Sequence, residues 1–180
     1  MLQIIIPSGE LYDEERNEFI LVKGQTIQLE HSLISMSKWE SKWKKAFLSK
    51  EEKTLDESID YIKFMVIRQD VDPNIYKFIN NDILEKVSLY IEDSMTATTF
   101  SKDSNDKISR KIITSEVIYY WMVTLQIPFE CEKWHLNRLL TLIKICNIEN
   151  QPKKKFNKRA LLKNNYALNA ARRAELNTSG

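Results

Sequence analysis

Cys131 and His135 stand four residues apart, which puts both on one face of a helix and suits a pair of metal ligands. A closed zinc site needs four ligands. The other cysteine and histidine, Cys146 and His31, are tied to the pair by no local spacing. The sequence therefore reads as a buried cysteine and a hydrogen-bonded histidine, with no metal. The same two side chains make a poor nucleophilic dyad, because nothing marks a third group to orient the base. The adjacent acids Glu14–Glu15 and Glu51–Glu52 lie in polar stretches and read as solvated surface. The chain has only three glycines, Gly9, Gly24 and Gly180, so no glycine-rich loop is present to cradle a phosphate or dinucleotide. The expectation is a protein that is not an enzyme and holds no cofactor.

Binding chemistry is better represented. Trp39 and Trp43 are four apart and flanked by Lys38, Lys42, Lys44 and Lys45. Tryptophans mostly pack cores, but an aromatic pair on a wet, amphipathic helix is also the usual anchor for a protein partner. Trp134, beside a very apolar stretch, joins them as a candidate. The second feature is charge. Residues 151–180 carry Lys153, Lys154, Lys155, Lys158, Arg159, Lys163, Arg172 and Arg173 against one acid, Glu175. That segment is +7 and leaves −5 for the rest of a chain whose total is +2. Such an arm contacts either nucleic acid or an acidic protein surface. Leu161, Leu162, Leu168 and several alanines exceed what a phosphate-binding arm needs. Only Phe156 and Tyr166 could stack on bases. Protein docking is the favoured reading, with nucleic acid through the arm as the alternative.

The elements that position these residues fit a chain of 180 residues with 43% apolar content, enough for one compact domain with an arm. The sequence predicts a mainly α protein. A short N-terminal antiparallel β hairpin or three-stranded sheet (Leu2–Ile6, Phe19–Val22, Thr26–Leu29) occupies residues 1–30. A helical bundle over 36–150 completes a single compact domain, 1–150, and the basic C-terminal tail or helix fills 151–180. Ser37 is the expected cap of a helix carrying Trp39, Trp43 and Phe47. Thr54 to Glu57 matches a capping box before a stripe of Leu55, Ile59, Ile62 and Val66. Asp72–Pro73 opens another helix, and Asp82–Glu92 is a third with Ile83, Val87, Tyr90 and Ile91 inward. The polar stretch 94–112 reads as a loop, mobile around 102–108. Thr114 or Ser115 caps an apolar helix to about Leu125, and Glu130 to Cys146 reads as the longest helix. Arg159–Glu175 forms a helix of the arm. On an uninterrupted helix Cys131 and Cys146 lie ~22 Å apart, too far for a disulfide, which suits a reducing compartment. The N-terminus lacks the pattern of a signal peptide, and no apolar run approaches the ~18 residues of a membrane span.

Several strings resemble a protein group of tailed bacteriophages: LEHSL at 29–33, SKWESKW at 37–43, MTATTF at 95–100, IPFECEKWHLNRLL at 127–140, LNAARR at 168–173 and NTSG at 177–180. The group is similar to tail assembly chaperones. The resemblance implies a small helical protein with a short β element, without covalent chemistry. It implies partners among phage tail proteins, shielding the tape-measure protein and recruiting tail-tube subunits, with self-association. It places the protein in the host cytoplasm during phage assembly. The alternative is a virion structural protein such as a head–tail connector or completion protein. On the chaperone reading, an apolar groove near Trp39, Trp43 and the 116–146 helices is the expected client surface, and the arm docks on a neighbouring copy or a tail subunit.

Overall fold

A computed structural model of the chain describes residues 1–14, 17–68, 70–100, 112–150 and 158–176. Helices dominate, after four short N-terminal strands. The strands are β1 (Leu2–Ile6), β2 (Gly9–Asp13), β3 (Glu18–Val22) and β4 (Gln25–Leu29). They form two antiparallel pairs, β1 with β4 and β2 with β3. Leu2 faces Leu29 and Ile6 faces Gln25, while Gly9 faces Val22 and Asp13 faces Glu18. Both ladders thus keep one hairpin register, so the expected hairpin is a single long ribbon broken at Pro7–Ser8 and Lys23–Gly24, not a three-stranded sheet. Proline has no amide to give a ladder. The inward set also changes parity at the break. Ile4, Ile6, Ile27 and Leu29 are buried in the inner half, and Val22 in the outer half with Leu11 and Ile20 half-buried. The three-residue step across the break rotates the ribbon and keeps one side on the core.

Glycine is required where backbones crowd at this break. A Cβ at Gly24 would lie 2.9 Å from the Ser8 amide nitrogen. One at Gly9 would lie 2.0 Å from the Phe78 ring.

The helices are α1 (Leu33–Trp43), α2 (Leu55–Met65), α3 (Asn81–Glu92), α4 (Ser115–Thr124), α5 (Leu136–Glu149) and α6 (Lys158–Leu176), with 3-10 helices at Pro73–Phe78 and Phe129–Lys133. Two units separate, Met1–Ile148 and Glu149–Gly180. No helix among the described residues is long and apolar enough to cross a membrane.

Three sequence expectations change. Helix α1 is capped by Ser32, whose hydroxyl accepts the Ser35 amide, and not by Ser37. It ends at Lys44 in the left-handed conformation (φ 56°), so Phe47 lies in the following loop, where it still packs edge-on against Trp39 at 5.2 Å. The capping box forms as expected at Thr54 and Glu57. The buried face behind it is Tyr61, Ile62 and Met65, however, while Leu55 is exposed. The long helix expected from Glu130 is two elements. Pro128 starts a 3-10 helix, and His135 leaves helical register to bridge Ser32 before α5 begins. Cys131 and His135 therefore do not share a helical face. Asp72–Pro73 opens a helix as expected, of 3-10 type, with the Asp72 carboxylate accepting the Asn74 amide at 2.8 Å. The expected mobile segment 102–108 lies outside the described residues.

Gly9→Ala should destabilise the chain by about 1–3 kcal/mol, through overpacking against Phe78. In urea titrations the loss should shrink in a Phe78→Ala background, a coupling that a purely local backbone effect would not produce.

Candidate partner-binding surfaces

The polar groups at the centre of the body are almost all committed to holding the fold. Glu30 donates its amide to the Met65 carbonyl at 2.9 Å, and the Ile67 amide reaches the Gln28 carbonyl at 3.0 Å. The Leu136 amide donates to the His31 carbonyl at 2.7 Å. The segment between β4 and α1 is thereby stitched to the end of α2 and the start of α5. Around it, His31 Nδ1 and the Tyr61 hydroxyl share a hydrogen bond of 2.5 Å. The His31 and His135 rings meet edge to face at 5.0 Å. His135 Nε2 donates to the Tyr90 carbonyl at 3.0 Å, and its Nδ1 is buried without a partner. The Tyr90 hydroxyl donates to Glu30 at 2.7 Å.

Burial, then the neighbouring His135, push the His31 imidazole down to about 3. It is neutral at physiological pH. Burial also raises Tyr61 well above the ordinary phenol range, with the charge of Glu40 adding to it. Neither group is poised to exchange protons near neutrality, which argues for a structural role.

Glu40 carries the longest-range tie. Its carboxylate is buried and accepts the Phe47 amide at 2.8 Å and the Ser115 amide at 2.7 Å. Thr114 provides no side-chain cap for α4, so Glu40 supplies one from 75 residues away. Glu57 does double work: its carboxylate closes the capping box with the Thr54 amide at 2.8 Å and accepts Lys45 at 2.6 Å. Lys45, then the Thr54 amide, hold that carboxyl below the usual range. Among the described residues no group of three or more His, Cys, Asp or Glu is placed to hold a metal.

The candidate anchors separate. Trp39 is 1% exposed, and its indole N–H donates to the Glu57 carbonyl at 2.8 Å. It is a core residue with almost no surface to offer a partner. Trp43 is half-buried in the last turn of α1, its Nε1 buried without a partner and Lys42 over its ring at 5.6 Å. Trp134 is 36% exposed in an extended residue between the 3-10 helix and α5, with the Arg138 guanidinium 4.5 Å from its ring centre. It remains available to a partner. Lys153, Lys154 and Lys155 lie outside the described residues. Lys158 and Arg159 open α6, and Arg172 and Arg173 are exposed near its end.

Two surfaces were not legible beforehand. The outward face of the ribbon presents Ile5, Tyr12, Phe19 and Leu21, each more than half exposed, with Tyr12 opposite Phe19 and their rings 5.1 Å apart. Strand alternation holds the signal for this, but only the position of the core says which side is outward. The other is a cleft of about 700 Å³ between the loop after α1, α2 and α3. It has Phe47 and Ile62 in its walls and Lys53 held 4.3 Å over the Phe47 ring. Burial lowers the Lys53 ammonium pKa.

No protein-family model, curated protein or solved structure matches the chain.

Two outcomes follow from the central polar groups. Glu40→Gln should cost about 2–3 kcal/mol, because an amide cannot accept two backbone N–H bonds with both its terminal atoms. Urea titration beside an unchanged far-UV spectrum checks it. The unfolded chain protonates His31 near 6.5 and the folded chain only near 3. Stability is therefore full above pH 6.5 and falls as pH drops, by up to about 1.4 kcal/mol per unit. His31→Gln should flatten this slope between pH 4.5 and 6.5.

Proposed function

We propose that the chain is a non-enzymatic tail assembly chaperone of a tailed phage, a transient factor that shields the tape-measure protein and recruits tail-tube subunits. The observation that carries this reading is the unpartnered apolar surface on a stable body and a basic arm. Helix α6 spans 19 residues, and Leu162, Tyr166, Leu168 and Leu176 are all exposed on it. A solitary helix of this length is marginal in water unless it buries an apolar face. Its chemistry is that of a segment that gains order on a protein surface. The exposed ribbon face of Ile5, Tyr12, Phe19 and Leu21 provides a second apolar patch, suited to covering aggregation-prone segments of a client. The strings at 29–43, 95–100, 127–140 and 168–180 supply the identity of that client class by resemblance.

The arrangement of the central polar groups favours binding over catalysis. Glu40, Glu57 and the His31–Tyr61 pair are tied to backbone amides or to each other. Self-association and contact of the arm with nucleic acid are both compatible with the arm's charge. Salt separates nucleic-acid contact from apolar coating of a client, because phosphate contacts lose affinity steeply as salt rises while apolar burial changes little.

Mass spectrometry of purified virions tests the reading. The chain should be absent from finished particles while abundant during infection. Co-expression should keep the tape-measure protein soluble, and Phe19→Asp with Leu21→Asp should reduce that solubility without unfolding the chaperone. Stoichiometric presence in the virion would overturn the proposal in favour of a connector or completion protein.

A further inference from the structure

We infer that the cleft between α2 and α3 is the seat for helix α6 of a second copy of this chain. The inference deepens the self-association expected on the tail-assembly reading by naming its seat, and its test reads self-assembly without any client, so the two can fail separately. The cleft, about 700 Å³, exposes apolar surface of Leu48, Leu84 and Ile91 above the buried Phe47 and Ile62. Glu85 and Glu92 line it from α3, two turns and ~10 Å apart along the helix axis. Lys53 on the facing loop has its charge drawn onto the Phe47 ring. The free carboxylates of the cleft thus sit on one wall above an apolar floor. That combination fits an amphipathic, basic helix laid into a groove.

Helix α6 has this chemistry. Leu162 and Tyr166 are four residues apart and fall on one face. Both are exposed, as are Lys163, Arg172 and Arg173. The charge of the two parts is opposite: residues 151–180 are +7 and the remainder is −5. Every copy carries both the cleft and the arm, so each copy offers a complementary surface to the next. The contact joins two different patches and is heterologous, so it repeats head to tail instead of closing as a two-fold pair. Docking gives α6 the apolar cover it lacks, and it removes the remaining exposed surface of Leu48, Leu84 and Ile91 from water.

The test uses the full chain and a charge swap. Glu85→Lys with Glu92→Lys reverses the cleft, and Arg172→Glu with Arg173→Glu reverses the arm. All four side chains are exposed, so the fold should persist, as circular dichroism will check. In sedimentation velocity the unaltered chain should associate with concentration. Each reversed variant alone should weaken that association at least about tenfold. An equimolar mixture of the two should associate again, because the reversed cleft meets the reversed arm. Disulfide trapping in a Cys146→Ser background gives the location. Ser88→Cys on one chain and Tyr166→Cys on a differently tagged chain should cross-link. A chain that stays monomeric at all concentrations, association that is indifferent to both reversals, or a cross-link formed only within one chain carrying both cysteines would each overturn the inference.

Discussion

The chain between β4 and α1 has to cross the interior without leaving its backbone polar groups unpaired, and the rest of the body is arranged to meet that demand. A buried amide or carbonyl without a partner costs about as much as a lost hydrogen bond. The Glu30 amide finds the Met65 carbonyl, and the His31 carbonyl finds the Leu136 amide. Isolated bridges at Leu29 with Val66 and at Ser32 with His135 extend the same pattern. These bonds fix where α2 must end and where α5 must start. They also explain why the apolar run from Glu130 cannot be one helix: the backbone at His135 is spent on Ser32. With α2 and α5 placed, Glu40 of α1 can reach the free N-terminus of α4, and the helical layer closes on the ribbon.

Local signals in the sequence carried the elements, and long-range partners were hidden from it. The capping box at Thr54, the breaks at Pro7 and Pro128 and the helix over the arm are each written within a few residues. The single register of the ribbon was not, because Pro7–Ser8 and Lys23–Gly24 look like the ends of separate hairpins until both ladders are aligned. Ser37 has the chemistry of a cap, but Ser32 won because the chain enters α1 there from an extended segment. Trp39 and Trp43 share a helix face by spacing alone. The buried Glu57 carbonyl that receives the Trp39 indole lies 18 residues away, and no spacing rule reports it. The same limit applies to the site. The exposed basic helix could be read from composition, whereas the cleft beside Lys53 forms only once the loop after α1 folds against α2 and α3.

The division of labour between the two units follows from these facts. The body places its titratable groups where they pair with backbone and leaves apolar side chains on the outer ribbon. The arm carries charge and exposed leucines on helix α6. The proposed partner-binding role draws on both units, because the apolar side chains exposed on the ribbon and on α6 are those another chain could cover.

Native-state hydrogen exchange read by NMR is the direct test of the central claim. The amides of Glu30, Ile67 and Leu136 donate the bonds that stitch the strand-to-helix junction. They should exchange only through global unfolding of the body, at the protein's full unfolding free energy, while amides of α6 exchange far faster. Exchange of those three amides through local openings, with α4 or the outer ribbon more protected, would show that the junction is not what the fold depends on.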